Sequence, residues 1–204
     1  MVLLSGMDFR AWRPLLLTVA LAAASAGCSP TAGPPAVVSS MSEEALRLSA
    51  LTDLDQRVAR VAWRLSEANA NLCPTVRLAA GWALHSARQY SPALRPHAEA
   101  RFGVRGDLPG VLVVPPGSPA AAAGLRTGDL VLAVEGRELS AGDADGPAQW
   151  DGLAANIRII DEALAGGPAA FTVAREDATR VLTVRPERAC GYEVQLDPSD
   201  ELNA

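Results

Sequence analysis

Apolar positions along this chain change rhythm several times, and each change marks an element. Leu51, Leu54, Val58, Val61, Leu65 and Ala68 follow at alternating three- and four-residue steps, the spacing of one helical face. Ser42-Glu43-Glu44 ahead of them supplies an N-cap and an acidic first turn. The run from Asn69 to Pro74 ends this helix. Asp53, Asp55, Arg57, Arg60 and Arg64 fill the other face, and their mixed signs favour packing on a core over lying on a membrane surface. Residues 75–101 have no clear period. Pro92 and Pro96 interrupt them, leaving room for a short helix that starts at Pro96. The stretch around Gly81 and Trp82 reads equally as strand, helix or loop.

From Phe102 the pattern becomes that of strands. Phe102-Gly103-Val104 is followed by a turn through Gly106 to Gly110, and Val111 to Val114 is a continuous apolar strand. Pro115 to Ser118 turns, Pro119 to Ala123 makes one helical turn of small residues, and Gly124 closes it. Leu125 points inward, Gly128-Asp129 turns the chain, and Leu130 to Glu135 is the next strand. After the polar segment Ser140 to Gly146, a second clear helix follows. Its stripe is Leu153, Ile157, Ile160 and Leu164, ended by Gly166-Gly167-Pro168. Ala169 to Arg175 and Arg180 to Val184 alternate around Glu176-Asp177 as a hairpin. Tyr192 to Leu196 alternates once more. The fold class is therefore α+β: a helical segment, then a small β-barrel or sandwich with two helices.

Composition narrows the function classes. Of 204 residues, 49% are hydrophobic and 20% charged, so most of the chain folds. All 18 basic residues are Arg, which together with abundant Ala, Gly and Pro reads as codon bias and carries no functional weight. A net charge of −5, without a basic patch and with only 4% aromatic residues, argues against a nucleic-acid partner. No GxSxG or HExxH occurs, and no base stands at motif spacing from a nucleophile, so the expectation is a non-enzyme. His85 and His97 read as surface or partly buried residues. No metal site and no cofactor are expected.

The N-terminus reads as an export signal. Arg10 and Arg13 precede the apolar stretch Leu15 to Ala24, and Ser25-Ala26-Gly27 leads into Cys28. That apolar stretch is shorter than the roughly 20 residues a membrane-spanning helix needs. Its Ala-Gly-Cys ending resembles the lipobox of bacterial lipoproteins, which implies acylation at Cys28 and a membrane anchor. Ser25 departs from the aliphatic residue usual there, and an ordinary cleaved signal is the alternative. Residues 1–27 are thus a signal peptide, 28–41 a flexible tether rich in Pro and Ser, and 42–101 a mainly helical segment. With Cys28 lipidated, Cys73 and Cys190 remain, and an even pair in an exported protein is most simply a disulfide. The other reading is two unrelated buried thiols.

The run GVLVVPPGSPAAAAGLRTGDLVLAVEGREL, from Gly110 to Leu139, resembles the heart of a PDZ domain, particularly of the HtrA-protease kind. The resemblance covers roughly residues 102–186. It implies that an extended or C-terminal peptide of another envelope protein adds a strand beside the longer helix. In the family a terminal carboxylate is held by an x-Φ-Gly-Φ loop. Arg101-Phe102-Gly103-Val104 matches that pattern, which implies Phe102, Gly103 and Val104 as peptide-binding residues. The alternative is a plain hairpin start. The facing helix would offer Leu153, Ile157 or Ile160 to the peptide, unless those residues form the core. Finally, residues 187–204 (ERACGYEVQLDPSDELNA) read as a strand and tail. They resemble the opening of the catalytic domain in exported HtpX-like zinc metallopeptidases, implying the non-catalytic N-terminal part of such an enzyme. The alternative is a complete lipoprotein adaptor that recruits proteins to a separate protease.

Overall fold

A computed structural model describes residues 41–191. Helix α1 spans Glu43–Ala68, and the Ser42 side chain accepts a hydrogen bond from the Ala45 N–H, as the capping pattern requires. Its packing face is not the expected one. Leu51 (46% exposed), Leu54 (46%), Val61 (54%) and Leu65 (58%) face outward. Leu48, Thr52 and Trp63 are the buried residues instead. The leucine stripe is apolar at helical spacing, yet the face carrying Leu48, Thr52 and Trp63 is the one packed against the domain.

Strand β1 (Val76–Ala79) follows, then β2 (Ala83–His85), a short 3-10 turn at Ala87–Gln89, and helix α2 (Arg95–Phe102) with Pro96 in its first turn. Phe102-Gly103-Val104, expected as the start of a strand, is not one. Helix α2 runs through Phe102, and Gly103 caps it in the left-handed conformation with φ 67°. Strands β3 (Gly110–Val113) and β4 (Leu130–Val134), with α3 (Pro119–Ala122) between them, fall close to expectation, whereas β5 (Arg137–Glu138) was not expected. Helix α4 (Asp151–Ala165), β6 (Ala169–Arg175) and β7 (Ala178–Val184) again match, and β8 (Glu187–Cys190) forms ahead of the strand expected at Tyr192 to Leu196.

One antiparallel sheet runs in the order β2-β3-β4-β6-β7, with β5 paired to β4, and a second, two-stranded sheet joins β1 to β8. The main sheet therefore begins at Ala83 rather than at Phe102. Its strands alternate between two apolar clusters. Val111, Val131, Phe171, Val173, Ile160 and Leu164 form the larger one, beneath α4. Leu112 faces the other way, into a cluster with Leu48 of α1, Tyr90, Phe102 and Val104. So α1 and α2 cover one side of the sheet and α4 the other.

Cys73, after α1, is bonded to Cys190 at the end of β8, with Cα atoms 5.6 Å apart. Three polar clasps fix the loops. Arg175 forks onto Asp129 at 2.6 and 2.7 Å and also reaches the Gly124 carbonyl, locking the turn before β4. Asn156 of α4 donates to the carbonyls of Asp107 and Ser140 and accepts from the Ser140 N–H. Arg88 pairs with Asp107 at 3.5 Å, both nearly fully buried, while Arg95 donates to the carbonyls of Ala144 and Gly146. Among the described residues no helix is long and apolar enough to cross a membrane. Cys28 and the signal and tether segments before residue 41 lie outside the described residues, as does Tyr192 to Ala204.

Candidate peptide-binding cleft

Strand β2 is the edge of the main sheet, because only β3 pairs with it among the described residues. The chain enters β2 through Ala80-Gly81-Trp82. Gly81 has φ +70°, which costs a glycine little and a side chain much. The Ala80 carbonyl accepts from the Ala120 N–H at 2.9 Å, pinning the loop to α3. Trp82 stacks edge-on against Phe171, with ring centroids 5.1 Å apart. No acceptor for the Gly81 or Trp82 amide N–H occurs among the backbone bonds of the described residues. An unpaired pair of successive N–H groups at a glycine turn is a concavity suited to an anion.

This loop opens onto a cleft of about 240 Å³. Ala83 of β2 lies on one side, Asp161 and Leu164 of α4 on another, and Ala59, Ala62 and Trp63 of α1 on a third. Arg77 and Asp161, each about half exposed, pair at 3.7 Å beside it. Among the described residues no group of three or more His, Cys, Asp or Glu side chains is placed to hold a metal ion.

The residues expected at the peptide site lie elsewhere. Phe102 and Val104 are buried in the cluster behind the sheet, and Gly103 caps α2, so none of the three meets the cleft. Leu153 and Ile160 are fully buried, which makes them core. Ile157 alone of that stripe is half-buried. Ala80-Gly81-Trp82 is a second apolar-Gly-apolar run in the sequence, and its glycine precedes the edge strand β2.

His85 departs from expectation too. It is fully buried at the end of β2, with Nδ1 2.8 Å from the Tyr90 hydroxyl and its ring edge-on to Phe102 at 4.9 Å. Burial pulls its pKa from 6.5 down to about 4. Burial, reinforced by the negative charge of Asp55, raises that of the Tyr90 phenol. Both groups are neutral at physiological pH. His97 sits half-buried, 3.4 Å from the Ser42 hydroxyl.

A small antiparallel sheet with an open edge strand, a glycine loop at its head and a helix alongside defines a PDZ-like domain. Residues 110–156 match the PDZ domain family, from β3 into α4. Among solved structures, the HtrA3 PDZ domain bound to a phage-derived ligand (FGRWV) is 21% identical, over 56% of this chain and 89% of that chain, with a TM-score of 0.40. The HtrA-type protease AlgW with decapeptide is 24% identical, over 54% of this chain and 29% of that one, at 0.35. A PDZ domain protein from Parabacteroides distasonis is 14% identical, over 57% and 21%, at 0.36. This chain thus spans less than a third of the last two. At these identities and scores the likenesses bear on neither binding nor activity. No curated protein matches the chain.

Proposed function

We propose that this chain binds an extended peptide by adding it as a strand to β2, with the peptide's terminal carboxylate at the Gly81 and Trp82 amides. The unpaired edge of β2, headed by two N–H groups without acceptors and flanked by α4, carries this reading. Backbone hydrogen bonds along β2 supply affinity, and the cleft supplies selectivity. No catalytic step is assigned to these residues.

The test is titration of the 15N-labelled protein with a peptide library, each member as free acid and as C-terminal amide. The expected result is shifts confined to residues 80–85 and α4, and at least tenfold weaker binding of the amides. Equal affinity of acid and amide, or shifts centred on Phe102–Val104, would overturn the reading.

The Cys73–Cys190 bond supports an exported, oxidising setting. The lipobox-like Cys28 supports anchorage at the envelope, where envelope proteins would supply the peptides. The resemblance of residues 187–204 to a metallopeptidase opening supports a module that delivers peptides to a zinc-dependent catalytic domain. The alternative is an adaptor for a separate protease. Genomic DNA past codon 204 separates the two: a continuation encoding HExxH supports the first, and its absence leaves the adaptor.

A further inference from the structure

Helix α1 has two faces and buries one. Leu48, Thr52 and Trp63 pack on the domain, while Leu51, Leu54, Val61 and Leu65 lie about half exposed on nearly the opposite side. Isolated surface leucines need no explanation, but these line up in a stripe about 21 Å long. Half-buried Val58 and exposed Ala68 complete it. From Leu51 to Ala68 the steps alternate strictly between three and four residues. A repeat of about 3.5 residues is the one that keeps a single seam facing a second helix.

The residues flanking the seam decide what covers it. Asp53 and Asp55 stand among Arg57, Arg60 and Arg64, so the stripe lacks the cationic border that suits an anionic membrane surface. Two copies side by side in parallel bring each seam residue against its own counterpart. Their flanks then join Ala50 to Asp55, Arg57 to Ala62 and Arg64 to Asn69 of the second copy, with no like charges opposed. An antiparallel pair that matches all six apolar residues instead sets Arg57 beside Arg64 on both flanks. Glu44 and Arg47 hold the two seam positions before Leu51 and end the contact there. We infer that a second copy of this chain covers the stripe, the two α1 helices forming a parallel coiled coil from Leu51 to Ala68. This goes beyond the peptide-binding reading and does not depend on it. The parallel sense puts both Ser42 caps at one end of the pair, as two chains anchored through Cys28 at one membrane would require.

The experiment is sedimentation equilibrium of the full chain with its disulfide intact. The apparent mass doubles between about 1 μM and about 500 μM, a span that covers the weak affinities of small interfaces. Leu54→Gln combined with Leu65→Gln keeps the protein monomeric throughout, and so does Leu51→Gln combined with Val61→Gln, a second and independent variant. Unfolding curves of dilute protein confirm that both are folded. Leu54→Cys and Leu65→Cys, each made with Cys28→Ala, test the direction. Under mild oxidation each cross-links to itself. Cross-links that form only when the two cysteine variants are mixed overturn the parallel arrangement. A monomer at every concentration, or a dimer that both glutamine variants retain, overturns the inference. So does a monomer that binds vesicles of anionic phospholipid through the stripe, which would assign this face to the membrane.

Discussion

The indole of Trp63 lies against Gly81, the residue that turns the chain into the edge strand β2. Any side chain at 81 would meet the ring, the Ser118 Cβ and an unfavourable positive φ together. Gly81→Ala is expected to lower stability by about 2 kcal/mol or more, because the backbone strain and the steric contact add. Urea denaturation measures this, and an unchanged midpoint would show that the indole does not seat there.

Helix α1 offers a paired comparison. Leu48→Ala removes a fully buried side chain and should cost about 2–5 kcal/mol. Leu54→Gln and Leu65→Gln alter half-exposed positions and should stay within about 0.5 kcal/mol of wild type. A reversed ranking would mean that the leucine stripe, not the Leu48 face, packs on the domain.

His85 makes stability depend on pH. Its folded pKa of about 4 lies below the ordinary 6.5, so below 6.5 the unfolded chain takes up a proton that the folded protein refuses. The contribution is complete above 6.5 and is lost as pH falls through 4, by up to roughly 3 kcal/mol. Denaturation curves between neutral pH and pH 4.5 should show this loss in wild type and a smaller one in His85→Gln. Parallel pH profiles would remove His85 from the account.

The buried pair Arg88–Asp107 should be fragile on one side. Asp107→Asn leaves the Arg88 guanidinium buried beside a neutral amide and should cost about 3 kcal/mol. Faster amide exchange across 140–150, the loop that Arg88 and Arg95 hold by its carbonyls, should accompany it. Unchanged exchange there would mean that the loop does not depend on the pair.

Reducing the disulfide removes a cross-link between residues 117 apart in sequence. In the chain-entropy account this is worth about 5 kcal/mol. Chemical denaturation with and without reductant, checked against Cys73→Ser with Cys190→Ser, measures it. A loss under about 1 kcal/mol would contradict that account.

The parts of the fold legible from sequence are those fixed by local chemistry. Ser118-Pro119 caps α3, the Asp129 turn leads into β4, and the 153–164 stripe marks α4, each within a few residues of the determining pattern. Count alone suggested the pairing of Cys73 with Cys190. What escaped notice depends on distant partners. Ala83-Leu84-His85 is a strand only because β3 pairs with it, and three such residues carry no rhythm. Phe102-Gly103-Val104 has the composition of a strand, yet the helix begun at Pro96 runs into it. Periodicity identified α1 as a helix and could not say which of its two faces would be buried. The cleft was hidden for the same reason, since two of its walls come from α1 and from the loop before β2.

The Cys73–Cys190 bond also decides where mechanical load travels. It joins the chain just before β1 to the end of β8. A pull applied between the end of helix α1 and Gly191 therefore passes from one sulfur to the other, and the main sheet between them hangs off that path as an untensioned loop.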